Sequence, residues 1–225
     1  MARNHRILFS ALLVTASLSA GAAATAAETA ADTASISGEA REVARWVTAS
    51  GDNQARPYAI VDKKGARLLV FSRDGVLQGQ SPILLGAARG DDSVPGIGER
   101  PMSAIRPEER TTPAGRFVSE PGVNTKGEDI VWVDYDAAVS MHRVRAVDPK
   151  QRRLERLASA TVDDNRISYG CINIPAAFYD AQIKPVFGQA PAVVYVLPET
   201  RPVATLLQSL AGGGARRVDG AAGKS

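Results

Sequence analysis

Cysteine and histidine are nearly absent from this 225-residue chain: Cys171 is its one thiol, and His5 and His142 are its two imidazoles. One cysteine excludes an internal disulfide framework and a thiolate zinc cluster. Two histidines leave little for a histidine-rich metal site, and nothing in the sequence calls for a cofactor. Long apolar runs are also missing. The stretch from Ile7 to Val14 dilutes into Ala, Ser, Gly and Thr, short of the roughly 18 strongly apolar residues that a membrane span needs. What remains is 44% hydrophobic and 23% charged, the balance of one globular domain with a real core rather than of a disordered chain.

The N-terminus has the layout of a secretory signal over residues 1–26. Arg3 and Arg6 precede the apolar stretch, and Ala24-Thr25-Ala26 supplies a small-x-small cleavage pattern. No cysteine lies near that point, which excludes a lipid-anchored form. The expected location is therefore the periplasm or cell wall. Cleavage would remove two basic residues and no acidic one, lowering the net charge from +3 to +1. A near-neutral exported domain gives no electrostatic case for nucleic acid. Residues 27–56 read as a linker and an N-terminal helix, residues 57–198 as the main domain, and residues 199–225 as a C-terminal segment ending in a Gly-rich flexible tail.

In the N-terminal helix, Ala40, Val43, Trp46 and Val47 share one face between a Ser37 cap and Gly51. From Tyr58 the pattern turns to short apolar runs between turn residues. Tyr58–Asp62 and Arg67–Ser72 predict a hairpin, with further strands at 76–79, 82–85, 116–119, 130–134, 138–142 and 193–197. The fold class is mainly β, a barrel or sandwich with a few short helices. Two stretches interrupt it. Residues 86–113 form a long segment, either a binding loop or surface decoration. Residues 147–167 predict a short amphipathic helix starting at Asp148-Pro149. A further helix is expected over 175–187, with Gly188 as its stop.

The sole cysteine lies in Ser168-Tyr169-Gly170-Cys171-Ile172-Asn173, and the histidine that outlasts signal cleavage is His142, at the end of a predicted strand. A free cysteine is often just a small buried apolar residue. In an exported protein, however, an unpaired thiol is exposed to oxidation, and Gly170 would let a ligand approach the backbone closely. As a nucleophile Cys171 would need its proton removed, and an imidazole both removes it and later protonates a leaving amine. Only His142 is available. An oxyanion would look to backbone N–H groups around Gly170 and Cys171.

With Thr112-Pro113-Ala114-Gly115-Arg116-Phe117 upstream, then the histidine, then Ser-x-Gly-Cys-Ile-Asn, the chain resembles the catalytic domain of the L,D-transpeptidases from about Tyr58 to Leu197. These are bacterial cell-wall enzymes, and the resemblance implies their β-barrel or sandwich fold. It also implies that Cys171 attacks the peptidoglycan stem tetrapeptide before its terminal D-Ala, with His142 as base and then acid. A thioester on Cys171 would pass to an amine from a second stem peptide, a lipoprotein lysine or an amino acid; transfer to water would make the protein an L,D-carboxypeptidase. Gly170, Ser168, Tyr169, Asn173 and Arg143 become candidate oxyanion or substrate supports, with the carbonyl of Arg143 orienting the imidazole.

Three features depart from the family pattern. Tyr169 stands where a second histidine is usual, and Arg143 stands where a glycine is usual. The gap from His142 to Ser168 is long and holds the 147–167 segment. The basic residues Arg143, Arg145, Lys150, Arg152, Arg153 and Arg156 could attract stem-peptide carboxylates or simply line a solvated helix face. A sortase-like enzyme would want an arginine soon after the cysteine, and the next one is Arg201. Papain-like peptidases place cysteine before histidine. A catalytically silent peptidoglycan-binding homologue is the alternative from outside enzymology.

Overall fold

Ten strands account for nearly every apolar run in the middle of the chain. The computed structural model describes residues 36–213; the expected signal segment, nearly all of the linker and the tail from 214 onward lie outside the described residues. Eight strands form one sheet in the order β3-β2-β1-β10-β5-β6-β7-β9. They are β1 (Tyr58–Asp62), β2 (Arg67–Phe71), β3 (Leu77–Pro82), β5 (Gly115–Val123), β6 (Asp129–Asp134), β7 (Val139–Arg143), β9 (Ile172–Ile174) and β10 (Ala192–Val196). The remaining two, β4 (Leu85–Gly86) and β8 (Arg166–Ser168), pair in parallel.

The sheet curls because β5 belongs to two halves. Its first five residues pair with β10, and Glu120 to Val123 pair with β6. A strand that changes partners along its length turns a corner between sheets. The free ends then approach each other. After β3 the chain continues to Leu84, which exchanges two backbone hydrogen bonds of 2.9 Å with Asn173 of β9. The fold is thus mainly β and nearly closed. Its interior holds Val61, Leu68, Phe117, Val131, Met141 and Ile172 in one cluster.

Helices are few and short. α1 (Gly38–Ser50) begins at Ser37, whose hydroxyl accepts from the Ala40 N–H at 3.1 Å, and ends at Gly51 with φ 67°. Ala40, Val43 and Val47 are buried and Trp46 is half-buried, as the periodicity implies. α4 (Val203–Ala211) buries Val203, Leu206 and Leu210. Among the described residues no helix is long and apolar enough to cross a membrane.

Three expectations need correction. The run 82–85 is strand in pieces rather than one strand, broken at Ile83. Pro82 closes the β3 ladder, because it lacks a donor; Leu84 then bridges to Asn173 and Leu85–Gly86 pairs with β8. The 147–167 segment does not hold one helix starting at Asp148. A single 3₁₀ turn (Pro149–Gln151) stops at Arg152, whose φ of 49° breaks the helical path, and α2 (Arg153–Ala158) starts afresh after it. The helix expected from Pro175 is a turn of α3 (Ala176–Phe178) followed by a π-helical stretch, Tyr179–Ile183.

Candidate active site

The pairing of β7 with β9 brings the histidine and the cysteine together. Both strands run in parallel, with His142 opposite Asn173 and Met141 opposite Ile172, and Cys171 immediately precedes β9. Side chains alternate along a strand. Val139 and Met141 therefore point into the core, while Ser140 and His142 turn to the cysteine. Sγ of Cys171 is electrostatically coupled to the imidazole and lies 3.7 Å from Oγ of Ser140 and 3.6 Å from the Ala138 carbonyl. Both Cys171 and His142 are half-buried.

Nδ1 of His142 lies 2.8 Å from the carbonyl oxygen of Arg143. A carbonyl only accepts, so Nδ1 carries the hydrogen and donates it, which leaves Nε2 for the thiol. The two groups shift each other in opposite senses. Burial pulls His142 down, but the hydrogen bond and charge of Cys171 outweigh it and leave its pKa raised. Burial pushes the Cys171 thiol up, yet the imidazole and then the backbone and hydroxyl of Ser140 bring it below the ordinary value. Both directions favour a thiolate–imidazolium pair.

The cysteine loop is a tight, fully bonded turn. Ser168 donates its hydroxyl to the Cys171 carbonyl at 2.6 Å and accepts the Gly170 N–H at 3.1 Å. Gly170 has φ 127°, and a Cβ there would meet the Thr111 carbonyl at 2.7 Å; only glycine fits. Thr112 explains the upstream motif. Its buried hydroxyl donates to the Gly170 carbonyl at 2.8 Å and accepts the Gly86 N–H at 2.9 Å. The long 86–113 segment therefore ends against the cysteine loop, and 3₁₀ turns at 97–99, 102–104 and 107–109 order its course.

Behind Thr112 lies a buried ion cluster. Nζ of Lys63 donates to the Thr112 carbonyl at 2.9 Å, to Asp91 at 2.9 Å and to the Gly90 carbonyl at 2.5 Å. Glu199 lies 3.6 Å from Lys63 and pairs with Arg166 at 2.5 Å. Asp91 also accepts from the N–H groups of Glu199, Thr200 and Arg201. The segment after residue 198 is thus anchored in the domain through its first three residues.

The supporting residues separate into distinct roles. Ser168 holds the loop and has its hydroxyl engaged there. The Gly170 N–H, expected as an oxyanion donor, is taken by Ser168, because the turn needs that bond to close. Asn173 is fully buried and donates to the Cys171 carbonyl at 3.1 Å. The side chain of Arg143 is locked between Asp129 and Asp180, at 3.0 Å to each, and stacks 4.4 Å over the Tyr179 ring. Tyr169 is half-buried beneath the Arg110 guanidinium, 4.1 Å from its ring centroid. His142 and Arg143, with Glu128, Asp129, Ile130 and Arg145, line a recess of about 220 Å³. A larger one, about 290 Å³, lies between α4 and the start of β5, and none of the candidate site residues line it.

Ser140, Lys63, Asp91 and Glu199 are not among the site residues expected from sequence. Ser140 carried a signal, since a residue two before the histidine on one strand shares its face. Lys63, Asp91 and Glu199 carried none, because each sits in a different part of the chain. Among the described residues no group of three or more His, Cys, Asp or Glu side chains is placed to hold a metal ion.

No family model matches the chain, and no curated protein does. Solved structures with a similar course include an L,D-transpeptidase from Xylanimonas cellulosilytica, 15% identical with a TM-score of 0.38, where the match covers 63% of this chain and 60% of that one. The helical cell shape determining protein Pgp2 from Campylobacter jejuni is 15% identical with a TM-score of 0.44, covering 69% of this chain and 55% of that one. L,D-transpeptidase 1 from Mycobacterium tuberculosis is 16% identical with a TM-score of 0.34, covering 63% and 61%. The chain spans about 60% of the length of the first of these structures.

Proposed function

We propose that this protein is an exported cysteine acyltransferase of the L,D-transpeptidase type, acting on peptidoglycan stem tetrapeptides. The observation that carries the reading is the ordered relay from the Arg143 carbonyl through His142 to Cys171, joined to the motif residues around it. In this reading the Cys171 thiolate attacks the carbonyl of the third stem residue, forming a C–S bond and an oxyanion. With the Gly170 N–H engaged, the Cys171 N–H is the loop donor for that oxyanion. Collapse breaks the C–N bond, and imidazolium Nε2 gives its proton to the departing D-Ala nitrogen. Neutral His142 then takes a proton from the incoming amine as it attacks the thioester, and the thiolate leaves. Water in place of the amine gives the carboxypeptidase outcome.

Intact-protein mass spectrometry after incubation with a stem tetrapeptide tests this directly. The expected result is an acyl adduct on Cys171 with release of D-Ala, absent from Cys171→Ala. An added amine should discharge the adduct as an amide product, and water alone as a free acid. Wild-type protein with an intact thiol and no adduct would refute the enzyme reading and favour a silent binding homologue.

A further inference from the structure

Six basic residues follow His142 up to the end of α2, and the structure sorts them by partner. Arg143 is held by Asp129 and Asp180, Arg145 by Glu128 and Arg152 by Glu155. Arg156 donates to the carbonyls of Gln151 and Asp164, within its own segment. Lys150 is exposed on the 3₁₀ turn. Arg153 alone turns to the active pair. Its Nη1 donates to Oδ1 of Asn173 at 2.6 Å, and its Nε donates to Oε1 of Gln151 at 2.6 Å. Asn173 is the residue opposite His142 in the β7–β9 register, and its amide also donates to the Cys171 carbonyl.

Both acceptors of Arg153 are neutral amides. Among the described residues no carboxylate lies within ion-pair distance of it, and the negative groups whose charge reaches it are Cys171 and then Asp148. A half-buried guanidinium with no paired carboxylate is unfavourable, and the amide oxygens orient it without neutralising it. Nη2 and the second hydrogen of Nη1 remain unused, a geometry suited to a carboxylate. Its charge is felt by both Cys171 and His142, which limits where that carboxylate lies. In a stem tetrapeptide the carboxylate nearest the attacked carbonyl belongs to the residue that leaves, since its carbon is two bonds from the scissile nitrogen and about 2.5 Å away. The other carboxylates lie further along the peptide.

We propose that Arg153, supplied by the 147–167 segment, binds the terminal carboxylate of the departing residue and makes the site specific for peptides with a free C-terminus. This rests on the acyl-transfer reading above and assigns the long His142–Ser168 gap a role in substrate selection.

The test compares a tetrapeptide ending in D-Ala with the same peptide ending in D-alaninamide, on wild type, Arg153→Gln, Arg153→Lys and Arg110→Gln. Acylation of Cys171 gives kcat/KM, and calorimetric binding to the same set in a Cys171→Ala background gives affinity without chemistry. Wild type should favour the carboxylate by about 10- to 100-fold. Arg153→Gln should abolish the preference by weakening the carboxylate peptide only, Arg153→Lys should keep part of it, and Arg110→Gln should keep it. Thermal melting verifies that each variant is folded. The proposal is overturned if wild type shows no preference, if Arg153→Gln retains it, or if Arg110→Gln is the variant that loses it. Absence of acylation by both peptides would defeat the enzyme reading alone, because the binding arm still reports the carboxylate preference.

Discussion

Lys63 and Arg153 both reach the cysteine loop through one intermediary, Lys63 through Thr112 and Arg153 through Asn173, yet their surroundings are opposite. Lys63 is fully buried and faces two carboxylates, Asp91 and Glu199, which also pair with Arg166, Arg89 and Arg201. Every charge there is answered from within the chain. Arg153 is half-buried and meets only amide oxygens. A cluster closed on itself holds a backbone in place; a cation left open has charge to offer a ligand. The same sign of charge thus serves architecture in one place and recognition in the other.

The comparison breaks first at Lys63. Lys63→Ala removes the buried ammonium that Asp91, Glu199 and the Gly90 and Thr112 carbonyls share and should lower stability by about 3–5 kcal/mol, read from urea unfolding. A loss under about 1 kcal/mol would mean the cluster is not a structural brace. Next in size, Thr112→Val leaves the Gly170 carbonyl and the Gly86 N–H without their partner and should cost about 1–3 kcal/mol.

Acid sharpens the contrast. Burial would raise the Asp91 carboxyl, but Thr200, the Glu199 N–H and Lys63 hold it well below the usual range. The unfolded chain therefore takes up this proton first as pH falls. The stability Asp91 contributes is complete above about pH 4 and is lost as pH drops toward its folded value. Urea midpoints between pH 7 and pH 2.5 should decline, and less steeply in Asp91→Asn.

At the open site the effects are on chemistry. The rate of Cys171 alkylation by iodoacetamide should titrate below the ordinary thiol range, because the imidazole favours the thiolate. His142→Ala should move that midpoint up, and Arg153→Gln should move it up by a smaller step. The smallest expected effect is on folding: Arg153→Gln should change stability by less than about 1 kcal/mol either way, since it removes no ion pair. A loss as large as that of Lys63→Ala would erase the distinction.

Much of this layout was legible from residues. α1, its Ser37 cap and the β1–β2 hairpin follow from local periodicity and turn chemistry. Cys171 and His142 stood out by scarcity, because no other thiol or second imidazole remained once the N-terminal segment was set aside. The short strands β8 and β9 were not legible, since three residues carry too little pattern. Nor was the break at Arg152, where one positive φ divides an otherwise helical run.

The sequence by itself determined which groups could do thiol chemistry, and period two determined that Ser140 and His142 share a face. Tertiary structure alone decided how each charge is used. Asn173 meets Arg153 across 20 positions of sequence, and Lys63 meets Asp91 across 28. Electrostatic partnership depends on separation in space, and local sequence does not encode the closure that brings distant segments within a few ångströms.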